Sequence, residues 1–200
     1  MIEVMVNQAT YPSLNRASLQ MMWCLLCLTL IIMSCDESNT ASSQQSSTGS
    51  FINNYAWVST ELQQDPFNLY WSDHVRCGDD DHGLELLADI WAYSIQTGNC
   101  NWLTIEQPTL SAIQKGDVVR AEIWHFFLSA LEPASARVAL ATKDGILAET
   151  TEPIPQPARL MELEFRAETS IEKNTPIYFH ISNHGTNSWH LLDIQVNPEE

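Results

Sequence analysis

Positive charge is scarce in this sequence. Lysine and arginine together number 9 against 25 aspartates and glutamates, which gives a formal net charge of -16 over 200 residues. Such an acidic surface repels the phosphate backbone of nucleic acids, so we exclude nucleic acid as the main partner. It also repels anionic lipid headgroups, so attachment to a membrane requires a hydrophobic anchor rather than basic residues.

Recognisable catalytic motifs are also missing. The sequence contains no GxSxG elbow, no HExxH pair and no glycine-rich phosphate loop. Paired carboxylates such as Glu162 and Glu164 are common in acidic strands and carry little information. We therefore expect a protein without enzymatic activity, and an unrecognised hydrolase is the alternative.

Only one long apolar run is present, and it lies near the amino terminus. Residues 21–33 read MMWCLLCLTLIIM, about 13 residues, which suits a signal-peptide core but is shorter than the roughly 20 of a spanning helix. The segment IMSC, which ends at Cys35, resembles the lipobox of bacterial lipoproteins. That resemblance implies a signal peptide over 1–34 and acyl chains such as palmitate on Cys35. The expected location is the cell envelope, with the lipid bilayer as a partner; a cleaved secreted protein and an uncleaved anchor are the alternatives.

The residues after Cys35 favour a tether. Residues 36–50 read DESNTASSQQSSTGS, and so few apolar side chains cannot offset the entropy of ordering the chain. We predict that 35–50 is a flexible, lipidated linker with a reach of roughly 20 Å. A single folded domain is expected over 51–200.

Cysteine placement predicts one disulfide. Of the five cysteines, Cys24 and Cys27 lie in the predicted signal core and Cys35 is the predicted lipid site. Cys77 and Cys100 remain, and in an oxidising compartment we expect them to be bonded to each other. The bond closes a loop of about 24 residues and contributes roughly 3 kcal/mol on the chain-entropy model. Two buried free thiols are the alternative.

Alternation of apolar and polar residues dominates the chain after Phe51. The pattern is clearest in VVRAEIWHFFL (118–128), RLMELEFRAE (159–168), PIYFHIS (176–182) and SWHLLDIQV (188–196). Further strands are predicted at 67–71, 84–93, 101–106, 136–142 and 146–150. Period-two alternation places one side of each strand in a core. Eight or more short strands separated by turns predict an all-β fold, specifically a β-sandwich.

Three segments carry a more specific pattern. They are LSAIQKGDVVRAEIW (110–124), IYFHISNHG (177–185) and WHLLDIQV (189–196). With their Lys-Gly turn before a strand and an acid inside the last strand, they resemble the galactose-binding-like jelly roll of many carbohydrate-binding modules. The resemblance implies a jelly-roll sandwich that binds carbohydrate or a similar polar ligand. It also implies a structural Ca²⁺ held by Asp193, and the acidic run at 79–83 is a second, weaker calcium candidate.

The sides of these strands that we expect to face solvent carry aromatic rings among charges. We predict a ligand-binding set on them: Arg120, Glu122, Trp124, Tyr178, His180 and Trp189. Aromatic faces pack against the C–H groups of a sugar while polar side chains bond its hydroxyls. Packing of these rings beneath loops is the alternative. The corresponding alternative function is a structural lipoprotein that holds an envelope protein and has no small-molecule ligand.

Overall fold

The computed structural model describes residues 50–67 and 75–197. The predicted signal peptide, the predicted lipid site Cys35 and the predicted linker up to residue 49 lie outside the described residues, as do positions 68–71 of the first predicted strand. Within the described residues, no helix is long and apolar enough to cross a bilayer.

The described residues form two five-stranded antiparallel sheets. In chain order the strands are β1 Val58–Ser59, β2 His82–Leu87, β3 Ile90–Gln96, β4 Trp102–Pro108, β5 Val118–His125, β6 Ala134–Thr142, β7 Gly145–Ile154, β8 Arg159–Arg166, β9 Pro176–Ser182 and β10 Ser188–Asn197. Single turns of 3-10 helix stand at Asn54–Ala56 and Asp79–Asp81. The predicted all-β class is therefore confirmed.

The strand order is that of a jelly roll. One sheet runs β2-β3-β10-β5-β8 and the other β1-β4-β9-β6-β7. Within the described part of the chain, only the β2–β3 and β6–β7 connections stay inside one sheet. Every other connection crosses between the layers, so strands distant in sequence become neighbours, as in double-sheet Greek-key sandwiches.

The core lies between the two sheets, and alternation explains how each strand supplies it. The inward residues predicted for β5 and β9 are fully buried: Val119, Ala121, Ile123, Ile177, Phe179 and Ile181. In β8, Met161 and Leu163 are 5% exposed. Because successive side chains point to opposite faces of a strand, the residues between them must lie on the outer faces of the sandwich.

The stretch predicted as one strand over 84–93 is two strands. β2 and β3 pair antiparallel through a two-residue turn at Ala88 and Asp89. Both turn residues have positive φ, 46° and 73°, which is the backbone that a two-residue hairpin of type I′ needs. Such turns favour Asn-Gly or Asp-Gly, and the sequence LLADIW has neither, so the turn was missed.

Strand β10 corrects the prediction for Trp189. β10 advances two residues, from Leu191 to Asp193, while its partner β5 advances one, from Ile123 to Glu122. Such an extra residue is a β-bulge, and it inverts the alternation on its far side. The predicted pattern, counted back from Ile194, placed Trp189 on the outer surface. In the structure Trp189 is 0% exposed and belongs to the core.

The predicted disulfide between Cys77 and Cys100 is present. The amide of Cys77 also donates to the carbonyl of Trp102 at the beginning of β4. The disulfide therefore holds the segment before β2 against the sheet that contains β4.

Candidate functional site: the open face of the sandwich

The outer faces of the two sheets differ in what covers them. We call the outer side of β2-β3-β10-β5-β8 the open face, because its side chains are largely half-exposed. We call the outer side of β1-β4-β9-β6-β7 the covered face, because the segment from Thr60 to Phe67 packs against it. The six residues predicted to bind a ligand are divided among the open face, the covered face and the core.

Tyr178 and His180 lie on the covered face and are not accessible. They are 4% and 0% exposed, and the Phe67 ring stacks on the His180 ring with centroids 4.3 Å apart. Phe67 is itself 0% exposed and packs with Tyr178 against Ala139 of β6. The prediction that these two rings face solvent is wrong, because the preceding segment folds over them.

Burial on the covered face has electrostatic consequences. Nδ1 of His180 forms a hydrogen bond with the Thr104 hydroxyl, and the two atoms are 2.8 Å apart. Burial, together with the nearby Arg137 guanidinium, lowers the pKa of His180 from 6.5 to about 3. Burial likewise raises the pKa of Asp65, whose carboxylate accepts a hydrogen bond from the Phe67 amide at 2.8 Å. His180 is therefore neutral near neutral pH and serves packing on this side of the sandwich.

The open face carries an aromatic pair. Trp124 is half-buried on β5, and Phe126, directly after β5, is 45% exposed. Their rings meet edge to face with centroids 6.2 Å apart. The indole Nε1 of Trp124 has no hydrogen-bond partner among the described residues. The pair offers apolar surface to a ligand, and the indole N–H of Trp124 is a buried donor beside it.

His190 lies beneath this pair. It is the register partner of Trp124 on the neighbouring strand β10, and the Phe126 ring meets its imidazole edge to face at 5.3 Å. Within the described structure neither ring nitrogen has a hydrogen bond, and the nearest carboxylate oxygen, from Glu85, is 3.6 Å from Nδ1. Burial lowers the pKa of His190 although Glu85 acts in the opposite direction. A buried imidazole without hydrogen bonds is costly in a folded protein.

Polar side chains continue along the open face. Arg120 of β5 donates to Glu164 of β8 at 2.8 Å and lies 3.3 Å from Glu162. Glu122 stands between Arg120 and Trp124 on the same side of β5 and is half-buried. Carboxylates, a guanidinium and an aromatic pair therefore share one surface, and this mixture suits recognition of a polar ligand with apolar faces.

The alternation of β5 thus brings together Arg120, Glu122 and Trp124 as predicted. Sequence reasoning missed Phe126, although it continues the same alternation two positions after Trp124. It also missed His190 as a neighbour of Trp124 and Glu85 as a neighbour of His190. Their proximity depends on the pairing of β2, β3 and β10, which no local pattern contains.

Asp193 does not have the surroundings of a calcium ligand. Its carboxylate oxygens accept hydrogen bonds from the Ser50 hydroxyl at 2.7 Å, the Ile194 amide at 2.8 Å and the Gln195 side-chain amide at 3.2 Å. Among the described residues, no group of three or more His, Cys, Asp or Glu side chains is placed to hold a metal ion. No pair of further acidic side chains among the described residues is therefore placed to share a Ca²⁺ with Asp193, and the calcium binding that the family resemblance implies stays a prediction.

Comparisons with known proteins give structural likeness without a family. No protein-family model matches the sequence, and no curated protein matches it. Among solved structures, similar chains include the xylan-binding domain CBM22-1 from Paenibacillus barcinonensis Xyn10C, at 9% identity and TM-score 0.40, over 72% of this chain and 86% of that one. Another is "Family 16 Carbohydrate Binding Module-2", at 8% identity and TM-score 0.39, over 59% and 86%.

A third similar chain is TmCBM61, solved in complex with beta-1,4-galactotriose. It matches at 10% identity and TM-score 0.37, over 76% of this chain and 100% of that one. Likeness of this degree assigns neither a family nor a ligand to the present chain. A function for this chain must therefore be inferred from its own residues.

Proposed function

We propose that this chain is a lipid-anchored envelope protein whose sandwich binds carbohydrate on the open face, without chemistry. The observation that carries the proposal is the pair of half-exposed rings, Trp124 and Phe126, on a sheet face also lined by carboxylates and a guanidinium. Sugars present axial C–H groups to aromatic faces and hydroxyls to polar side chains, so this surface matches both parts of such a ligand.

The first test is a glycan array followed by calorimetric titration of any glycan that binds. Trp124→Ala is expected to weaken binding by roughly tenfold or more, as truncation of an aromatic anchor does. The matched control is Trp91→Ala, which removes an equally large ring that is 47% exposed at the β2–β3 hairpin. Equal losses in the two variants, or no binding by the wild type, would overturn the proposal.

The absence of chemistry has its own test. Glycans that bind are incubated with the protein and assayed for new reducing ends, with the Glu122→Gln and Glu162→Gln variants beside the wild type. We expect no cleavage. Cleavage that either variant abolishes would replace the binding proposal with a hydrolase.

Lipid anchoring, the other half of the proposal, depends on Cys35. Each methylene buried in a bilayer contributes about 0.8 kcal/mol, so two or three acyl chains hold a soluble domain firmly. Cys35→Ser is expected to move the protein from the membrane to the soluble fraction and to remove the acyl mass. Cys27→Ser, inside the predicted signal core, is the control and is expected to leave anchoring unchanged. Membrane retention of the Cys35 variant would refute the anchor.

A protein partner is the second candidate, and one surface favours it. Tyr55, Leu86 and Trp91 are 62%, 54% and 47% exposed near the β2–β3 hairpin, and the Tyr55 and Trp91 rings lie 6.0 Å apart. Contiguous apolar exposure of this kind often marks an interaction surface. Loss of a co-purifying envelope protein in Trp91→Ala, but not in Trp124→Ala, would favour this candidate.

A further inference from the structure

The charge on the open face indicates which glycans it can accept. Three carboxylates stand abreast across three strands. In the sheet register Asp193 of β10 is opposite Glu122 of β5, and Glu122 is opposite Glu162 of β8. Like charges at directly opposed positions destabilise a sheet unless a positive group lies among them.

The described cations only partly neutralise this row. Arg120 lies 3.3 Å from Glu162 but donates both of its described side-chain hydrogen bonds to Glu164. Arg166 donates to the carbonyl of Gly116 at 2.7 Å. Glu122, at the centre of the row, has no hydrogen bond or ion pair within 4 Å among the described residues, and Arg120 attracts it less than it attracts Glu164 and Glu162. Glu122 is therefore a half-buried carboxylate, between two others, that no described cation contacts.

A second observation indicates that a ligand belongs here. His190 is 0% exposed, neither of its ring nitrogens is hydrogen-bonded within the described structure, and it lies across the strand from Trp124. Glu85 adds a further carboxylate 3.6 Å from the imidazole. The aromatic pair and the carboxylate row are therefore neighbours on one face of the sheet, and the unbonded imidazole lies beneath the aromatic pair. Hydrogen-bonding groups without partners are what a polar ligand satisfies when it binds.

We propose that the open face selects glycans that carry free amino groups and rejects glycans that carry carboxylates. This inference rests on the proposed carbohydrate-binding function and specifies its ligand class. An ammonium group on a sugar ring stacked at Trp124 lies within reach of Glu122, which no described cation contacts within 4 Å. A uronic acid placed there meets Glu122, Glu162 and Asp193 together and is repelled, on a chain whose net charge is -16.

The test uses three β-1,4-linked hexamers that differ only at carbon 2, and a fourth that is oxidised at carbon 6. Glucosamine, N-acetylglucosamine and glucose hexamers present an ammonium, an acetamide and a hydroxyl on the same backbone, and a glucuronate hexamer supplies the anionic member. Titrations run at about pH 6, where amines are protonated. We expect the glucosamine hexamer to bind roughly tenfold more tightly than the glucose hexamer at low salt, and the preference to shrink at about 1 M salt.

Glu122→Gln is the diagnostic variant, because it removes one charge and keeps the shape of the side chain. It is expected to reduce the affinity for the glucosamine hexamer several-fold, roughly as one close ion pair does, and to reduce the affinity for uncharged hexamers by a clearly smaller factor. The matched control is Glu168→Gln, at an exposed site after β8, which changes net charge equally. Thermal melts establish that both variants are folded.

The outcomes separate this inference from the function on which it rests. Binding of an uncharged glycan that requires Trp124, with no gain for the glucosamine hexamer, overturns the amino-glycan inference and keeps carbohydrate binding. Equal losses in the Glu122 and Glu168 variants, or equal binding of a lysine hexamer, reduce the effect to general attraction and overturn the inference. No Trp124-dependent binding of any glycan overturns both.

Discussion

The two outer faces of this sandwich are formed by strands with similar sequence patterns, but their outward aromatic rings differ in exposure to solvent. β5 and β9 both alternate apolar and polar residues, and each places an aromatic ring on its outer side. On β9 the rings of Tyr178 and His180 lie beneath the segment that ends at Phe67, whereas on β5 the ring of Trp124 stays half-exposed. Alternation thus determines which side of a strand leaves the core, and the path of distant segments determines whether that side meets solvent.

The largest expected effect is on the covered face. Phe67→Ala removes a ring that is 0% exposed and stacked on His180, so we expect the free energy of unfolding to fall by about 3–5 kcal/mol. Phe127→Ala, at a residue 61% exposed just after β5, is the control and is expected to change it by less than about 0.5 kcal/mol. Denaturant unfolding measures both. Similar values for the two variants would mean that Phe67 is not an integral part of the domain.

The disulfide is the second feature of the covered face, because it fixes the chain shortly after the segment from Thr60 to Phe67. Cys77 and Cys100 are each 5% exposed and bonded. Replacing both with alanine is expected to lower the free energy of unfolding by roughly 3 kcal/mol, mainly by freeing the unfolded chain. Reductant is expected to lower the melting temperature of the wild type and leave that of the double variant unchanged. A wild-type melting temperature that is the same with and without reductant would contradict a stabilising disulfide.

The buried histidine of the covered face predicts a pH dependence with a definite sign. The folded-state pKa of His180 is lowered to about 3, so the unfolded chain takes up this proton first and protonation favours unfolding. The stabilising contribution is complete above about pH 6.5 and is lost as pH falls toward 3, with a slope of at most about 1.4 kcal/mol per pH unit.

A matched pair of variants isolates that slope. His180→Gln is expected to flatten the fall in stability between about pH 6.5 and pH 4, whereas His184→Gln, at an exposed position, is expected to leave it unchanged. The comparison concerns slopes, because His180→Gln also lowers stability at every pH by disturbing the stack with Phe67. A slope unaltered in the His180 variant would show that this imidazole is not buried in the neutral form.

The smallest expected effect on stability belongs to the open face. Trp124 is only half-buried, so Trp124→Ala is expected to lower the free energy of unfolding by about 1 kcal/mol, well below the effect of Phe67→Ala. Its main consequence is expected in glycan binding. A loss of stability as large as that for Phe67, measured by the same denaturant unfolding, would mean that Trp124 serves packing.

Sequence alone predicted the fold class, the disulfide and the inward residues of β5 and β9, because each depends on local alternation or on simple counting. It misplaced Trp189, because one extra residue in β10 reverses the alternation, and bulges have no strong sequence signal. It joined β2 to β3, because Ala88 and Asp89 lack the glycine or asparagine expected in a tight hairpin.

The candidate site was predictable only in part, because some of its contacts depend on pairing between strands that are distant in sequence. Arg120, Glu122 and Trp124 share one side of β5, so alternation alone groups them. The proximity of His190 to Trp124 requires β10 to lie beside β5, and its proximity to Glu85 requires β10 to lie beside β3, pairings that join distant parts of the chain. The cover over Tyr178 and His180 likewise comes from a segment more than a hundred residues earlier.

We expect a ligand to bind the open face and not the covered face. NMR spectra of the backbone amides and of the indole N–H groups, recorded while a glycan selected on the array is added, distinguish the two faces. We expect chemical-shift changes to concentrate at the indole N–H of Trp124, at Phe126 and at His190, and the signals of Tyr178 and His180 to stay unchanged. Shifts centred on Phe67, Tyr178 and His180 instead would contradict it.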